Sequence, residues 1–340
     1  MATVGATHLS LLDHAKAYGA DGSRLVVAEI LNQTNPIITD LLMREANGTT
    51  SHRSLMRTGL PQGVFRKYYQ GVQPTKSLKA AIEDTMFMLE DRVEVDKDLA
   101  TLENDLNAFR MDEARAHIEG LGQQWATAIF YADTDTNPER CLGLAPRYSS
   151  LSAANAQNIV SGAGTGSDQT SIWLLRHSAQ SLFGIFPKGS TQGIVHQDLG
   201  EGDAFDTQVP PARYRAYMDR FQIKFGLVVP DWRYNVRICN IDTTALVAES
   251  SAADLVKLMV KAMARVPGSP NWSEYCWYGN RTVLEYLDIQ SMGKATSGSG
   301  VVTNIVFDAQ DAAQGRMFQS FRGIKWRTCD AILNTEAQVS

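Results

Sequence analysis

The sequence has little of what usually marks a membrane protein or a catalyst. No apolar run in its 340 residues approaches the roughly 18–20 needed to cross a bilayer as a helix. Met1 to Ser10 has neither the basic flank nor the apolar core of a secretory signal, so the expected site of synthesis is inside the cell, without export. Cysteine is scarce. Cys141, Cys239, Cys276 and Cys329 stand far apart with no C-x-x-C pair, which argues against a zinc site or a disulfide framework and for reduced packing residues. The six histidines (His8, His14, His52, His117, His177 and His196) share no H-x-x-x-H or H-x-x-E-H spacing. Glu113 and His117, four apart, read as a surface pair. An excess of positive charge is missing as well. The formal net charge is −5, which excludes a dominant electrostatic grip on nucleic acid.

Motifs for bound cofactors are incomplete. In Gly162-Ala163-Gly164-Thr165-Gly166-Ser167 the sixth position is Ser167 and the residues that follow are β-prone. A dinucleotide fingerprint needs glycine there and a helix behind it. The run reads as a mobile loop. Ser178 and Ser181 lack a G-x-S-x-G elbow. The acidic group Glu90, Asp91, Glu94, Asp96 and Asp98 lacks a calcium-loop pattern and reads as a solvated helix entrance. No catalytic residue, metal or cofactor is expected.

What is present is an ordinary folded composition, 44% hydrophobic and 20% charged, long enough for two packed subdomains. A short helix is predicted from Ser23 through Val26, Val27, Ile30 and Leu31. A second is predicted with Asn35 as cap and Pro36 in its first position, closed by Asn47-Gly48. From Thr49 to about Val95 the pattern is extended and basic, with turn signals at Gly59-Leu60-Pro61 and Gln70-Gly71. It predicts a long hairpin with too little apolar surface to be stable alone, so support must come from outside the subunit. The aromatic-basic cluster Arg66-Lys67-Tyr68-Tyr69 reads as a protein contact ahead of a nucleic-acid one, since Tyr and Arg are enriched at interfaces.

The strongest periodicity follows. A helix predicted from Asp96 or Asp98 to about Tyr131 places Leu99, Leu102, Leu106, Phe109, Ile118, Leu121, Trp125 and Ile129 on one side. Its length would be on the order of 50 Å, with Gly120 and Gly122 permitting a bend. Beyond Pro138, strands are predicted around the glycine-rich loop, over Tyr214–Val229, over Arg233–Ile241, and finally over Val301–Phe307 and Arg316–Trp326. Helices are predicted over Ala252–Arg265, capped by Ser251, and over Asn280–Ser291, followed by a flexible Ser/Gly segment.

The order of these features, together with AEILNQTNPIITDLL, RTGLPQGVFRKYYQGVQPTKS, EVDKDLA, APRYSSLS, FGIFPKGS, HQDLGEGDAF, GLVVPDWRYNVRICNID, GNRTVLEYLDIQ and FRGIKWRTCDAI, resembles the tailed-phage major capsid proteins of the Hong Kong 97 type. The resemblance implies an α+β fold: an N-terminal arm (1–47), an extended E-loop (48–95), a spine helix and peripheral domain (96–144), a mainly axial domain (145–300), then peripheral return strands and a C-terminal tail (301–340). It implies a virion shell protein assembled in the host cytoplasm from hexamers and pentamers around double-stranded DNA, read without sequence preference. A portal, and a scaffolding or cement protein, would be its partners, with no membrane. Inter-subunit contacts are expected at Arg53, Arg57, Arg66, Lys67, Tyr68 and Tyr69. Lys67, Lys76 and Lys79 lie in the same loop without a crosslink motif around them, so a non-covalent shell is expected. Two other readings stay open: an encapsulin-like compartment, and a soluble α/β enzyme holding a phosphate ligand at residues 162–167.

Overall fold

The computed structural model describes residues 32–102, 106–205, 211–249, 252–268, 270–296 and 320–340. The helix expected at Ser23–Leu31, the Ser251 cap, residues 297–300 of the Ser/Gly segment and the strand at Val301–Phe307 lie outside them. So do the first residues of the strand expected at Arg316–Trp326.

The fold is α+β, and the described residues form two six-stranded sheets. The first contains β1 (Met43–Glu45), β2 (Ser51–Gly59), β3 (Leu78–Asp96), β6 (Phe183–Phe186), β7 (Ile194–Phe205) and β8 (Arg213–Val228). Its order is β1-β6-β8-β3-β2, with β7 also pairing β8. The second contains β4 (Ile159–Ser161), β5 (Gln169–Arg176), β9 (Val236–Asp242), β10 (Tyr275–Gly279), β11 (Ser320–Phe321) and β12 (Ile324–Thr328), in the order β11-β12-β10-β5-β9-β4. Helices are α1 (Ile37–Asp40), α2 (Lys97–Ala100), α3 (Leu106–Tyr131), α4 (Leu144–Arg147), α5 (Thr243–Val247), α6 (Leu255–Arg265) and α7 (Arg281–Thr296). Among the described residues no helix is long and apolar enough to cross a membrane.

The described residues divide between two compact units, one within 1–33, 88–125 and 192–224, the other within 34–87, 126–191 and 225–340. The larger unit holds the principal core. Strand β5 reads QTSIWLLR and is buried at every residue but its last, because it is covered on both faces. Ile172, Leu174, Val236, Ile238 and Trp277 pack with Leu258, Met259 and Ala262 of α6 and Val283 and Leu287 of α7. On Trp173, Phe130 and Tyr148 pack edge or tilted at centroid distances of 6.1 and 5.9 Å. Arg237 ties the C-terminal tail to this face. It sits 2.8 Å from Glu336, with both side chains 4% exposed. Its guanidinium also donates to the Tyr148 carbonyl at 2.8 Å and covers the Trp173 ring. Tyr131 and Ser171 donate to the same Glu336 carboxylate, so both oxygens of the buried charge accept hydrogen bonds.

The smaller unit is built on the β7–β8 hairpin, paired from Ile194↔Ile223 to Phe205↔Arg213. Arg110, near the start of α3, bridges Asp219 and Asp198 at 2.9 Å each and lies 5.4 Å from the Tyr217 ring centroid. At 26 residues, α3 is about 40 Å long. Burial concentrates toward its end, at Leu121, Trp125, Ile129 and Phe130, whereas Ile118 is 39% exposed and Leu102, expected on the same helix, lies in a turn before it and is 59% exposed. The uniform apolar stripe expected from the sequence is therefore only partly used.

Other departures have local causes. The helix at Pro36 lasts one turn and stops at Asp40, with Leu41 extended. The Asn35 carboxamide does not cap it; it accepts from Ala331 N at 2.9 Å and tethers the terminal segment instead. Asn47 is no helix stop either, since it bonds both the N–H and the carbonyl of Arg53 and sets up the start of β2. Glu90, Asp91 and Glu94 belong to strand β3 and not to a helix entrance; only Asp96 caps, accepting from Asp98 N at 2.8 Å. Asp254 caps α6 through Lys257 N. Helix α7 continues to Thr296, past the point where flexibility was expected. The last strand is two, because Arg322 and Gly323 both take positive φ, at 51° and 78°, the signature of a tight hairpin turn.

The four cysteines are free, and three are buried; burial pushes the Cys141 thiol up to about 12. His117 pairs through Nδ1 with Asp91 of β3 at 2.6 Å, a partner the helical spacing could not show.

Candidate inter-subunit interface

The expected contact residues all lie on one hairpin, within the larger unit. β2 and β3 run antiparallel from Ser51↔Thr85 to Gly59↔Leu78, with an irregularity between Arg57 and Gly59. At the root the hairpin is well held. Asp84, 4% exposed, meets the Arg147 guanidinium at 2.6 Å, and Arg147 also donates to the carbonyls of Leu142 and Leu227. His52 stands edge-on to Phe183 and accepts the Asn47 N–H at Nδ1. Burial holds its pKa below the ordinary histidine value, against the pull of Asp84.

Outward from the root the support ends. Every residue from Leu60 to Lys76 is exposed. Leu60 is 73% exposed, Val64 66%, and Phe65, Tyr68 and Tyr69 are almost bare. A Cβ added to Gly63 or Gly71 would meet nothing within 4 Å. The tip is a turn in which Gln70 N donates to the Lys67 carbonyl at 3.2 Å, with Tyr69 at φ 65°, a conformation that costs a bulky residue energy.

The six candidate residues divide into two roles. Arg53 faces Glu83 across the ladder and pairs with it at 3.1 Å, so it braces the stem. That pair and the Ser51 hydroxyl hold the Glu83 carboxyl below the usual carboxylate range. Arg57 is exposed and stands opposite Lys79. Arg66, Lys67, Tyr68 and Tyr69 are brought together at the tip, where the Arg66 guanidinium is 3.5 Å from the Gln70 carbonyl. Sequence reasoning missed Asp84 and Arg147, which position the root; a lone aspartate in an alternating strand gives no signal of a partner 63 residues away.

Nothing at residues 162–167 resembles a ligand loop. Gly162 and Gly164 donate their N–H groups to the Cys239 and Asn240 carbonyls at 2.8 Å each. A Cβ on Gly164 would lie 2.2 Å from Gln169 Oε1. Gly162 and Gly164 permit close packing on β9, and the element behind them is strand β5. Among the described residues no group of three or more His, Cys, Asp or Glu could hold a metal.

No curated protein sequence matches the chain. Among solved structures it is similar to a chain of bacteriophage Epsilon15, at 34% identity and a TM-score of 0.76, over 100% of this chain and 99% of that one. Likenesses of lower score include Mycobacterium phage Bobi (11% identity, 64% and 96% covered, TM-score 0.42). Another is a holo-encapsulin complex from Synechococcus elongatus (11% identity, 69% and 96% covered, TM-score 0.44). A family model, major capsid protein GP7, matches residues 19–340. With that match and the Epsilon15 likeness over both full lengths, the chain belongs to the GP7 family and is a major capsid protein of a tailed phage with the Hong Kong 97-type fold.

Proposed function

We propose that this capsid subunit assembles through hexamers and pentamers into an icosahedral shell around double-stranded DNA, with the hairpin of residues 48–95 laid on a neighbouring copy. The observation that carries this is the unbroken exposure of residues 60–76. A segment bearing bare Phe65, Tyr68 and Tyr69 has apolar surface of the kind a monomer rarely leaves open without a partner. Each such ring contributes about 1.5–3 kcal/mol when buried, and a closed lattice repeats the gain at every subunit.

The hairpin acts as the extended E-loop and α3 as the spine of the peripheral domain. Residues 145–300 form mainly the axial domain, and the N-terminal arm makes further neighbour contacts. The role is structural and non-enzymatic. Assembly takes place in the host cytoplasm, with a portal at one vertex and a scaffolding or cement protein as helper. A net charge of −5 suits a wall against which packed DNA moves without sticking. Lys67 and Lys76 are exposed without a surrounding crosslink motif, so the shell is held non-covalently.

Negative-stain microscopy of the purified protein tests the reading. Closed shells or ring-shaped capsomers are expected. A monodisperse monomer at every concentration would contradict it. Phage particles carrying this subunit should contain DNA, whereas particles filled with cargo protein would favour the compartment reading. Denaturing gels should show a 37.4-kDa band; high-mass ladders alone would overturn the non-covalent shell.

A further inference from the structure

The acids of this chain are unevenly placed. It has 37 in 340 residues, yet none between Arg140 and Ser167 and none between Leu255 and Ser273. The two acid-free stretches come together in the larger unit. Helix α6 packs against β4 and the 3-10 turn Ala156–Asn158 that precedes it, and the Arg265 guanidinium donates to the Gln157 carbonyl.

The bases of this region form a row. Helix α6 buries Leu255, Leu258, Met259 and Ala262 and turns Lys257, Lys261 and Arg265 outward, all exposed. At four-residue spacing they lie within about 80° of one another and about 6 Å apart along the axis, a stripe of about 12 Å. Exposed Ala264 falls on the same face and adds no bulk to it. Asp254 caps the helix through the backbone N–H of Lys257. Several exposed arginines elsewhere are answered by carboxylates, as Arg53 is by Glu83, Arg215 by Asp203 and Arg233 by Asp231. Among the described residues none of the three cations of α6 has such a partner. Their field is therefore turned to whatever lies outside the helix.

We propose that this face of α6 is the surface of the subunit that touches the phosphodiester backbone, on the inner side of the shell. The occupant is duplex DNA, the polyanion that the proposed shell encloses, and the spacing fits it. One strand carries a phosphate per about 3.4 Å of helix axis, so a 12 Å stripe passes three or four of them. The proposal rests on the reading of the chain as the wall of a DNA-filled shell and names the surface involved. Three contacts per subunit are few beside the roughly 6–10 of proteins that grip DNA through phosphates. They orient the outermost DNA without fixing it, as the acidic remainder of the wall requires.

The salt dependence of duplex binding by unassembled subunits tests the face. Each phosphate contact adds about −0.9 to the slope of log affinity against log salt, so the wild type should lose roughly fortyfold between about 50 and 200 mM salt. Lys257→Gln/Lys261→Gln should lose only about three- to fourfold over that range. Lys188→Gln/Lys325→Gln removes the same charge from exposed positions elsewhere and should behave as the wild type. Equal slopes for all three proteins would overturn the proposal, as would an equal fall in both double variants.

Lys261→Cys tests the side of the shell. A maleimide on a polymer too large to enter should label unassembled subunits and spare closed empty shells, while a small maleimide labels both. Labelling is read above that of the wild type, whose Cys276 is half-buried. Reaction of intact shells with the large reagent would put the face outside and overturn the proposal, with the shell reading intact. Protection from the small reagent as well would mean that a neighbouring subunit covers the face, and would overturn it too. Absence of shells, or shells holding cargo protein and no DNA, would remove the shell reading and the proposal with it.

Discussion

Arg57 and Lys79 occupy the same register position on opposite strands of the β2–β3 hairpin, two positive charges facing each other with no acid between residues 54 and 82. An isolated hairpin gains nothing from that arrangement; a hairpin that meets an acidic neighbour does. Lys79→Glu is expected to stabilise the unassembled subunit by roughly 0.2–1 kcal/mol through a cross-strand pair while lowering shell yield. Urea midpoints and sedimentation of the same preparation check both halves. A gain in stability with undiminished assembly would mean that the charge at this position is not used between subunits.

At the hairpin root, Asp84 and Arg147 form a pair with side chains 3% and 13% exposed. Removing one partner strands the other charge, at a cost of about 3–5 kcal/mol. Asp84→Ala or Arg147→Ala should each lower the urea midpoint accordingly. The double variant Asp84→Leu/Arg147→Met should recover part of the loss, because no charge then stays buried. If both singles are neutral, the root is not held by this pair.

The Glu336 carboxylate predicts a strict dependence on the C-terminal tail. It accepts from Arg237, Ser171 and Tyr131, and Val339 exchanges two hydrogen bonds of 2.8 Å with the Asn240 side chain. Truncation after Leu333 should unfold the larger unit or lower its stability by at least about 3 kcal/mol, since Arg237 would be left buried and unpaired. Glu336→Gln should cost less, since it keeps one acceptor oxygen and the packing of the tail. Thermal melts of the two variants give the order; a tolerated truncation would contradict it.

His177 sets a pH dependence. Burial pushes its pKa down to about 4, and its Nε2 lies 2.8 Å from the Tyr278 hydroxyl, which donates to Asp40. Because the folded value lies below the unfolded value of about 6.5, the unfolded chain binds more protons between the two. Stability from this group is full above about pH 6.5 and falls as the pH drops toward 4, by ~3 kcal/mol at most. Urea titrations over that window should show a shallower slope for His177→Leu than for the wild type. Equal slopes would assign the acid sensitivity to other groups.

Elements whose burial is uniform or periodic are legible in the sequence. Strand β8 followed from Tyr217, Phe221, Ile223, Phe225 and Leu227, and the end of α3 from Trp125 and Ile129, because one face of each is buried. Strand β3 was not readable past Ala81. Its outer residues alternate between solvent and partly covered positions, so neither period stands out. Partners distant in sequence were hidden for a different reason. Asn35 looks like a helix cap, yet bonds Ala331; His117 looks paired to Glu113, yet meets Asp91. The exposed hairpin was the most legible part. Extended basic sequence with few apolar residues can be read as a segment without its own core, and residues 60–76 have none.

Hydrogen exchange on residues 60–76, measured on unassembled subunits and on closed shells, reads whether a neighbour covers the hairpin. Exposed amides with no partner exchange near the rate of an unfolded chain. Fast exchange is expected in the free subunit and slowing of at least tenfold in the shell, concentrated at Phe65 to Gln70. Equal, rapid exchange in both states would show that the tip stays bare after assembly and would contradict the inter-subunit role of the hairpin.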